Sequence, residues 1–142
     1  MSVHQRGDGI RLDVTPVHFA APASAVVIDG FTFEPSGFQA YMATHTSETE
    51  PGRLVFTEHS ATAWQSWERH TEGDELVIIL DGVALFVQEV DGAELRTRVT
   101  SGQAVLNPAG VWHTADVEVP FTAVYLTPCP GTEHRARAQP AR

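Results

Sequence analysis

Short apolar runs separated by turn-forming residues make up most of the chain, and this pattern predicts β structure. Across residues 93–100, apolar residues and threonine alternate with charged residues, which indicates a strand with one buried face. Asp81-Gly82, Asp91-Gly92 and Ser101-Gly102 stand ten residues apart, and such pairs are typical of hairpin turns. No window of about 11 residues has a convincing helical period, so helix signals are poor throughout.

The predicted strands are short and spaced at about 8–12 residues, which favours a sandwich or a barrel. The run at 75–80 is apolar on both faces after its first residue, so we expect it between two buried layers. We expect one domain, with a barrel at 25–128, a loose lead-in at 1–24 and a basic tail at 129–142. The strands are predicted at 26–28, 31–33, 53–57, 63–70, 75–80, 83–90, 93–100, 104–106, 111–115 and 121–126.

The composition fits a single acidic domain with its own core. The chain has 142 residues, of which 42% are hydrophobic and 19% charged, enough apolar content to exclude wholesale disorder. Its net charge of −9 would repel nucleic acid and anionic membranes, so neither is expected as a partner. The longest apolar run is far below the roughly 20 residues of a membrane span, and no signal peptide is expected. The single Cys129 excludes an internal disulfide and predicts a cytoplasmic protein.

The candidate chemistry lies in three neighbouring segments. Residues two apart in a strand share a face, so Glu68 and His70 point the same way. A short turn follows, and Glu75 opens the next antiparallel strand beside His70. A third strand follows a Pro-Ala-Gly turn and carries His113. Two imidazoles and one or two carboxylates that converge inside a barrel form a ligand set for a divalent ion: Zn, Fe(II), Mn or Ni.

The spacing of these residues resembles the two motifs of the cupin superfamily. His70, four residues, Glu75, six residues and Gly82 reproduce the second half of the first motif, G-x5-H-x-H-x3-4-E-x6-G. The second motif is G-x5-P-x-G-x2-H-x3-N, and it is matched through its histidine by Gly102, Pro108, Gly110 and His113. The chain is similar to the small single-domain bacterial cupins of the conserved-barrel (cupin 2) type. The resemblance implies an all-β fold, the double-stranded β-helix or jelly roll.

The resemblance carries the family's metal ligands over to His70, Glu75 and His113, but the chain departs from the motifs at two positions. Glu68 stands where the first motif has its leading histidine, and Val117 stands where the second has its asparagine. Glu68 is therefore a substituted fourth ligand, a catalytic general base, or a carboxylate that hydrogen-bonds in the cavity or pairs with an arginine, Arg53 or Arg69.

Several aromatic residues and histidines surround this segment in the sequence. Trp64 shares the predicted ligand face and, with Tyr125, is expected to line a substrate pocket, although core filling is the alternative reading for both. Trp67 and Trp112 fall on the opposite face and are expected to pack between sheets or in a homodimer interface. The remaining histidines are expected on the surface or in hydrogen bonds: His4, His18, His45, His59 and His134.

The functional hypothesis is a metal-dependent enzyme that acts on a small organic molecule inside the barrel, by oxygenase, isomerase or cyclase/lyase chemistry. The alternative is a non-catalytic cupin that binds or senses a small molecule. A serine or cysteine hydrolase is disfavoured, because the chain has no G-x-S-x-G elbow and Cys129 lacks the setting of an activated thiol. The apolar run 75–80 and the outer tryptophans predict a homodimer, because such a face needs a cover.

Overall fold

The computed structural model of the chain describes residues 9–138, and within that range the protein is built almost entirely of antiparallel β-strands. A single helix, α1 (Pro35–His45), interrupts them. No helix in this part of the chain is long and apolar enough to cross a membrane. The strands are β1 (Val17–Ala20), β2 (Ser24–Val27), β3 (Arg53–Ser60), β4 (Ser66–His70), β5 (Glu75–Val90), β6 (Ala93–Thr100), β7 (Ala104–Asn107), β8 (His113–Thr127) and β9 (Thr132–Ala136).

Two long strands, β5 and β8, organise the barrel. They pair with each other over nearly their whole length. In addition, β5 pairs with β6 and β7, whereas β8 pairs with β3 and β4. Strand β1 continues the sheet beyond β3, and β9 continues it beyond β4. Long strands that take part in both halves of a curled sheet close it into a jelly roll. The predicted all-β jelly-roll fold is confirmed.

The interior is filled by the side chains that point inward from the central strands. Val77, Ile79 and Phe86 on β5 are fully buried against Phe121 and Ala123 on β8. This cluster is part of the hydrophobic core, and its close packing holds together the strands that carry the polar site.

The prediction of a hairpin at Asp81-Gly82 is wrong, because β5 runs straight through this pair. The pairing of β5 with β8 shifts register between Ile79 and Ala84, and Gly82 has a φ of +78° within this irregularity. A glycine pair can therefore mark a bulge inside a strand as well as a turn. The pair at Asp91-Gly92 does form the predicted hairpin, between β5 and β6.

Two predicted strands on either side of residue 118 are one continuous strand, β8. The stretch between them keeps its pairing with β5, since Val119 lies opposite Val83 and Val117 opposite Ala84. This stretch is partly exposed and contains polar residues, so its hydrophobic pattern suggests a break. Its β-branched residues are nevertheless compatible with a strand.

The prediction of a strand at 31–33 is also wrong, since these residues lead into helix α1. Phe31 and Phe33 pack edge-on against Phe38 of the helix, and Phe33 also contacts Phe56 on β3. Pro35 at the start of the helix is the usual N-terminal signal. The hydrophobic pattern does not reveal this helix, because glycine and alanine interrupt the row of large apolar residues on its buried side.

The segment predicted as a basic tail contains strand β9, and the lead-in contains β1. Strand β9 pairs with β4, and Arg135 lies over both outer tryptophans, 5.1 Å from the ring centre of Trp67 and 4.7 Å from that of Trp112. Arg69 covers Trp112 as well, at 4.6 Å. The two tryptophans therefore face away from the interior, as expected, and pack against arginines of their own chain.

Candidate metal centre

Three strands bring four ligand-type side chains to one point inside the barrel. Glu68 and His70 point inward from β4, and Glu75 is the first residue of β5. His113 is the first residue of β8 and lies directly opposite Glu68 in the pairing of β4 with β8. His70, Glu75 and His113 are almost completely buried, whereas the side chain of Glu68 is 26% exposed.

The separations between these groups match those expected around a metal ion. One ligand atom each from Glu68, His70 and His113 lie within 4.8 Å of one another. The Nε2 atom of His70 is 3.3 Å from Oε1 of Glu68 and 3.2 Å from Oε2 of Glu75, and Nε2 of His113 is 3.4 Å from Oε1 of Glu75. Ligands held about 2.0–2.1 Å from a tetrahedral ion stand about 3.3 Å apart.

The outer ring nitrogens of both histidines are already engaged, which leaves the inner ones free. Nδ1 of His113 donates to the carbonyl oxygen of Val111 at 3.3 Å, since a carbonyl can only accept. Nδ1 of His70 lies 2.9 Å from the hydroxyl of Thr132, whose own proton goes to the carbonyl of Cys129 at 2.7 Å. Thr132 must therefore accept, and each Nδ1 carries the proton. Each Nε2 then presents a lone pair to the centre.

Neither Nε2 atom makes a well-aligned hydrogen bond within the described residues, although both are buried. A buried acceptor without a donor is unfavourable unless something supplies the missing interaction. A divalent ion would satisfy both lone pairs at once. The donor set, two neutral imidazoles and two carboxylates, would balance the charge of the ion, which suits a buried site.

A buried polar chain that the sequence analysis did not identify holds Glu75 in place. Asn107 donates to Oε1 of Glu75 at 2.9 Å, and the hydroxyl of Thr127 donates to Oε2 at 2.6 Å. Gln88 in turn donates to Oδ1 of Asn107 at 2.8 Å. The available signal was weak: each is a polar residue at an inward position of an otherwise apolar strand.

The two carboxylates of the cluster have pKa values that are shifted in opposite directions. Burial, followed by the charge of Glu75, raises the pKa of Glu68 to about 7. Burial also disfavours charge on Glu75, but His70, His113 and the Thr127 hydroxyl outweigh it and lower the pKa of Glu75. Burial lowers the pKa of His113. On His70 the same effect is outweighed by Glu75 and Glu68, so its pKa is raised.

The cluster opens into a cavity of about 860 Å³. Trp64 and Tyr125 both line it, and the ring centre of Trp64 is 6.4 Å from that of His113. Helix α1 and the loop before it form part of the wall, through Phe33, Phe38 and Met42. The sequence pattern named Trp64 and Tyr125 as candidate pocket residues, whereas it gave no sign of the contribution of the helix.

The alternative pairing of Glu68 with an arginine is not seen. Arg53 donates to the backbone carbonyl of Asp74, and Arg69 pairs with Glu133 at 2.9 Å. Of the other histidines, His18 is buried and His45 stacks on Tyr41. His59 and His134 are exposed residues that border the cavity, and Nδ1 of His59 lies 2.9 Å from the hydroxyl of Thr122. His4 falls outside the described residues.

Residues of both sequence motifs therefore lie together in the interior of a jelly-roll barrel, at the ends of β4, β5 and β8. The chain has the jelly-roll fold that its motif resemblance to cupins implies. Two features of the site differ from the motif pattern. Glu68 occupies the place of the leading histidine, and the residue that hydrogen-bonds Glu75 from the second motif is Asn107, just before the Pro-Ala-Gly turn.

No family model matches the chain. Acireductone dioxygenases from two strains of Rhodopseudomonas palustris, TIE-1 and ATCC BAA-98 / CGA009, are each 41% identical to it over 56 residues. The match covers 39% of this chain and 33% of the relatives, so it spans about a third of their length.

Several solved structures resemble the chain at low sequence identity. A cupin-2 domain protein from Shewanella frigidimarina is 17% identical, with a TM-score of 0.45 over 58% of this chain and 71% of its own. The hydroquinone 1,2-dioxygenase PnpCD is 18% identical, with a TM-score of 0.47 over 53% of this chain and 56% of its own. A cupin superfamily protein from Desulfitobacterium hafniense is 20% identical, with a TM-score of 0.42 over 54% of this chain and 64% of its own.

Proposed function

We propose that the protein is a divalent-metal-dependent enzyme that acts on a small organic molecule bound in the barrel cavity. The observation that carries the proposal is the pair of buried Nε2 atoms, on His70 and His113, that lack aligned hydrogen bonds and face two carboxylates. His70, Glu75 and His113 are the proposed ligands. Glu68 is proposed as the fourth, in the position nearest the cavity.

A bound divalent ion would supply Lewis-acid activation of a substrate oxygen, of water or of O₂. The chain's own residues would shape the substrate space and hold the ligands in position. Trp64 and Tyr125 wall the substrate space beside His113. The Asn107 and Thr127 hydrogen bonds fix both oxygens of Glu75, so this ligand cannot rotate away from the histidines. The donor set is compatible with Zn, Fe(II), Mn or Ni.

Two observations favour an enzyme over a non-catalytic binding or sensing cupin. The ligand cluster opens into a solvent-connected cavity, whereas a purely structural site is expected to be closed by its protein ligands. The curated relatives, over their matched third, are dioxygenases by name, which favours O₂-dependent chemistry among the reaction types the fold accommodates. We place the protein in the cytoplasm because its single cysteine, Cys129, is buried and unpaired.

The decisive test is metal binding by protein purified without an affinity tag or chelator. Elemental analysis should find about one divalent ion per chain, and titration calorimetry should show that His70→Ala and His113→Ala abolish tight binding. His45→Ala is the matched control, because His45 stacks on Tyr41 away from the cluster. A wild-type protein that binds none of the four metals would refute the proposal.

Replacing Glu68 by glutamine distinguishes a ligand from a base. We expect Glu68→Gln to weaken metal binding by about tenfold or more, since even changes in groups that only support a ligand cost that much. Glu133→Gln is the control, because Glu133 carries a similar charge but pairs with Arg69 at the rim. Unchanged metal affinity together with lost turnover would assign Glu68 as a catalytic base, with His70, Glu75 and His113 as the full protein ligand set.

A further inference from the structure

The cavity combines aromatic walls with carboxylates. Its aromatic lining comes from Phe33, Phe38, Phe56, Trp64 and Tyr125. Four acidic side chains line the same space, Glu34, Glu58, Glu68 and Glu75, and no arginine of the described residues does. The chain contains no lysine at all.

The arginines of residues 9–138 are all committed to other partners. Each pairs with a carboxylate or donates to a backbone carbonyl: Arg11 with Asp13, Arg53 with the carbonyl of Asp74, Arg69 with Glu133, Arg96 with Glu94 and Asp116, Arg98 with Glu118, Arg135 with Glu89, and Arg137 with Asp116 and the carbonyl of Trp64. No described arginine is therefore left without a partner to receive an anionic molecule in the cavity.

Glu58 is the acidic residue that the metal centre does not explain. It follows Phe56 by two positions on β3 and so shares its inward face, opposite Ala123 of β8. None of the hydrogen bonds or ion pairs found in the described part of the chain involves Glu58. Although Glu58 is an exposed residue, partial burial of its carboxyl group, followed by the charge of Glu75, raises its pKa.

The charge balance of the cavity remains negative when a metal is bound. A divalent ion would offset Glu68 and Glu75, which leaves Glu58 and Glu34 at the walls. The buried hydroxyl of Tyr125 is a further group aimed at this space. It makes no aligned hydrogen bond within the described residues, although Ser60 on the neighbouring strand is close enough to lower its pKa slightly against the effect of burial.

We propose that the cavity takes an organic cation, an ammonium group on an apolar or aromatic body, and that Glu58 is the residue that selects it. The proposal rests on the proposed function for the location of the substrate site. Cations bind favourably against aromatic side chains, and a carboxylate beside them adds a direct charge-assisted hydrogen bond. Molecules that bear a carboxylate or a phosphate are disfavoured, because acidic side chains line the cavity and no described arginine does.

The test uses three probes with one phenylalkyl body and different charge: 2-phenylethylamine, 2-phenylethanol and 3-phenylpropionate. Binding is measured by calorimetry at neutral pH, on zinc-loaded and on metal-free protein. We expect the amine to bind most tightly and the carboxylate most weakly in both forms. Glu58→Gln should reduce the preference for the amine over the alcohol by about tenfold, as expected for loss of one hydrogen bond to a charged group.

Glu48→Gln is the control, since Glu48 is an exposed acidic residue that does not line the cavity. The proposal is overturned if 3-phenylpropionate binds as tightly as the amine, if no probe binds, or if Glu58→Gln leaves the ranking unchanged. Metal binding is measured on the same samples, so failure of the proposed metal-dependent function can be distinguished from failure of the organic-cation proposal. Absence of metal binding counts against the proposed function, whereas a reversed ranking on metal-loaded protein counts against the cation proposal alone.

Discussion

At the scale of single residues, the site is defined as much by the groups behind the ligands as by the ligands. The proton positions on His70 and His113 follow from what each Nδ1 meets: a threonine whose own proton is used elsewhere, and a backbone carbonyl. These contacts orient the two rings before any ion arrives, and preorganised ligands bind metals more tightly than mobile ones.

Removing the hydroxyl behind His70 should therefore loosen the site. We expect Thr132→Val to weaken metal binding by roughly tenfold, because the Nδ1 proton of His70 loses its acceptor and the ring its orientation. The chain offers a matched control in Thr122→Val, since Thr122 makes the same 2.9 Å contact with Nδ1 of His59, which is not a proposed ligand. Equal effects of the two substitutions on metal affinity would contradict this account of His70.

A buried histidine outside the metal centre, His18, should make the stability of the fold depend on pH. Burial, together with the nearby His45, lowers the pKa of His18 below its usual 6.5, while Nδ1 of His18 lies 2.6 Å from the hydroxyl of Tyr41. As pH falls through 6.5, the unfolded chain takes up a proton that the folded chain does not, so the free energy of unfolding falls.

His18→Gln should flatten this part of the pH profile, measured by urea unfolding between about pH 5 and 7. His59→Gln is the control, because His59 is exposed. The explanation fails if the slope below pH 6.5 is the same in His18→Gln as in the wild type, whatever the change in absolute stability.

The proposed ligands could be named from the sequence, but the groups that support them could not. His70 and Glu75 are joined by a short turn, whereas His113 comes from β8, opposite Glu68, and only the motif resemblance pointed to it. Asn107 and Thr127 reach Glu75 only because β7 and β8 flank β5 on opposite sides. That is a contact between strands distant in sequence, and a pattern of inward polar residues does not specify its partner.

At the scale of elements, the irregularity in β5 is held by close packing. Gly82 has a φ of +78°, and a Cβ placed there would lie 2.1 Å from the carbonyl oxygen of Pro120. Gly92 has the same φ of +78° in the hairpin turn, with no atom within 4 Å of its Cβ position. The two glycines thus share a backbone conformation and differ in the space around them.

The pair allows backbone strain to be separated from packing. We expect Gly92→Ala to cost about 1–2 kcal/mol of unfolding free energy from its left-handed conformation alone. Gly82→Ala should cost roughly 1–3 kcal/mol more, because β5 and β8 must move apart to admit the methyl group. Urea unfolding of both variants measures the difference, and equal costs would show that the bulge is not closely packed.

The same bulge shows a feature that could not be predicted from the sequence alone, namely which Asp-Gly pair forms a turn. Asp81-Gly82 and Asp91-Gly92 look alike as sequence, yet the first continues a strand and the second turns it. What separates them is the partner strand β8, which runs past Gly82 and pairs with Asp81 and Val83 on either side of it. Helix α1 was similarly hidden, because its apolar residues are held by packing against Phe31 and Phe33 rather than by strong helix propensity.

At the scale of the whole molecule, one outer face of the barrel is apolar. The pairing of β5 with β7 and β8 puts side chains of Leu76, Ile78, Leu106, Val124 and Leu126 on the side opposite the buried core. Leu80 and Leu106 are 49% and 53% exposed. An outer face of this kind usually marks an interaction surface, and it lies around the apolar run that predicted a homodimer from the sequence.

The dimer remains a prediction, and this face gives it a specific test. Light scattering at tens of micromolar protein, a rough working range for a stable interface, should give twice the mass of one chain. Leu106→Asp should shift the protein towards monomer, because it places a charge in the centre of the apolar face. Leu95→Asp is the matched control, because Leu95 is equally exposed, at 52%, but does not belong to the apolar outer face. It lies opposite Gln88 on β5, whose side chain points to the interior side of the sheet. If the wild type is a monomer, or if the two variants dissociate alike, the apolar face of β5, β7 and β8 is not the surface through which two copies meet.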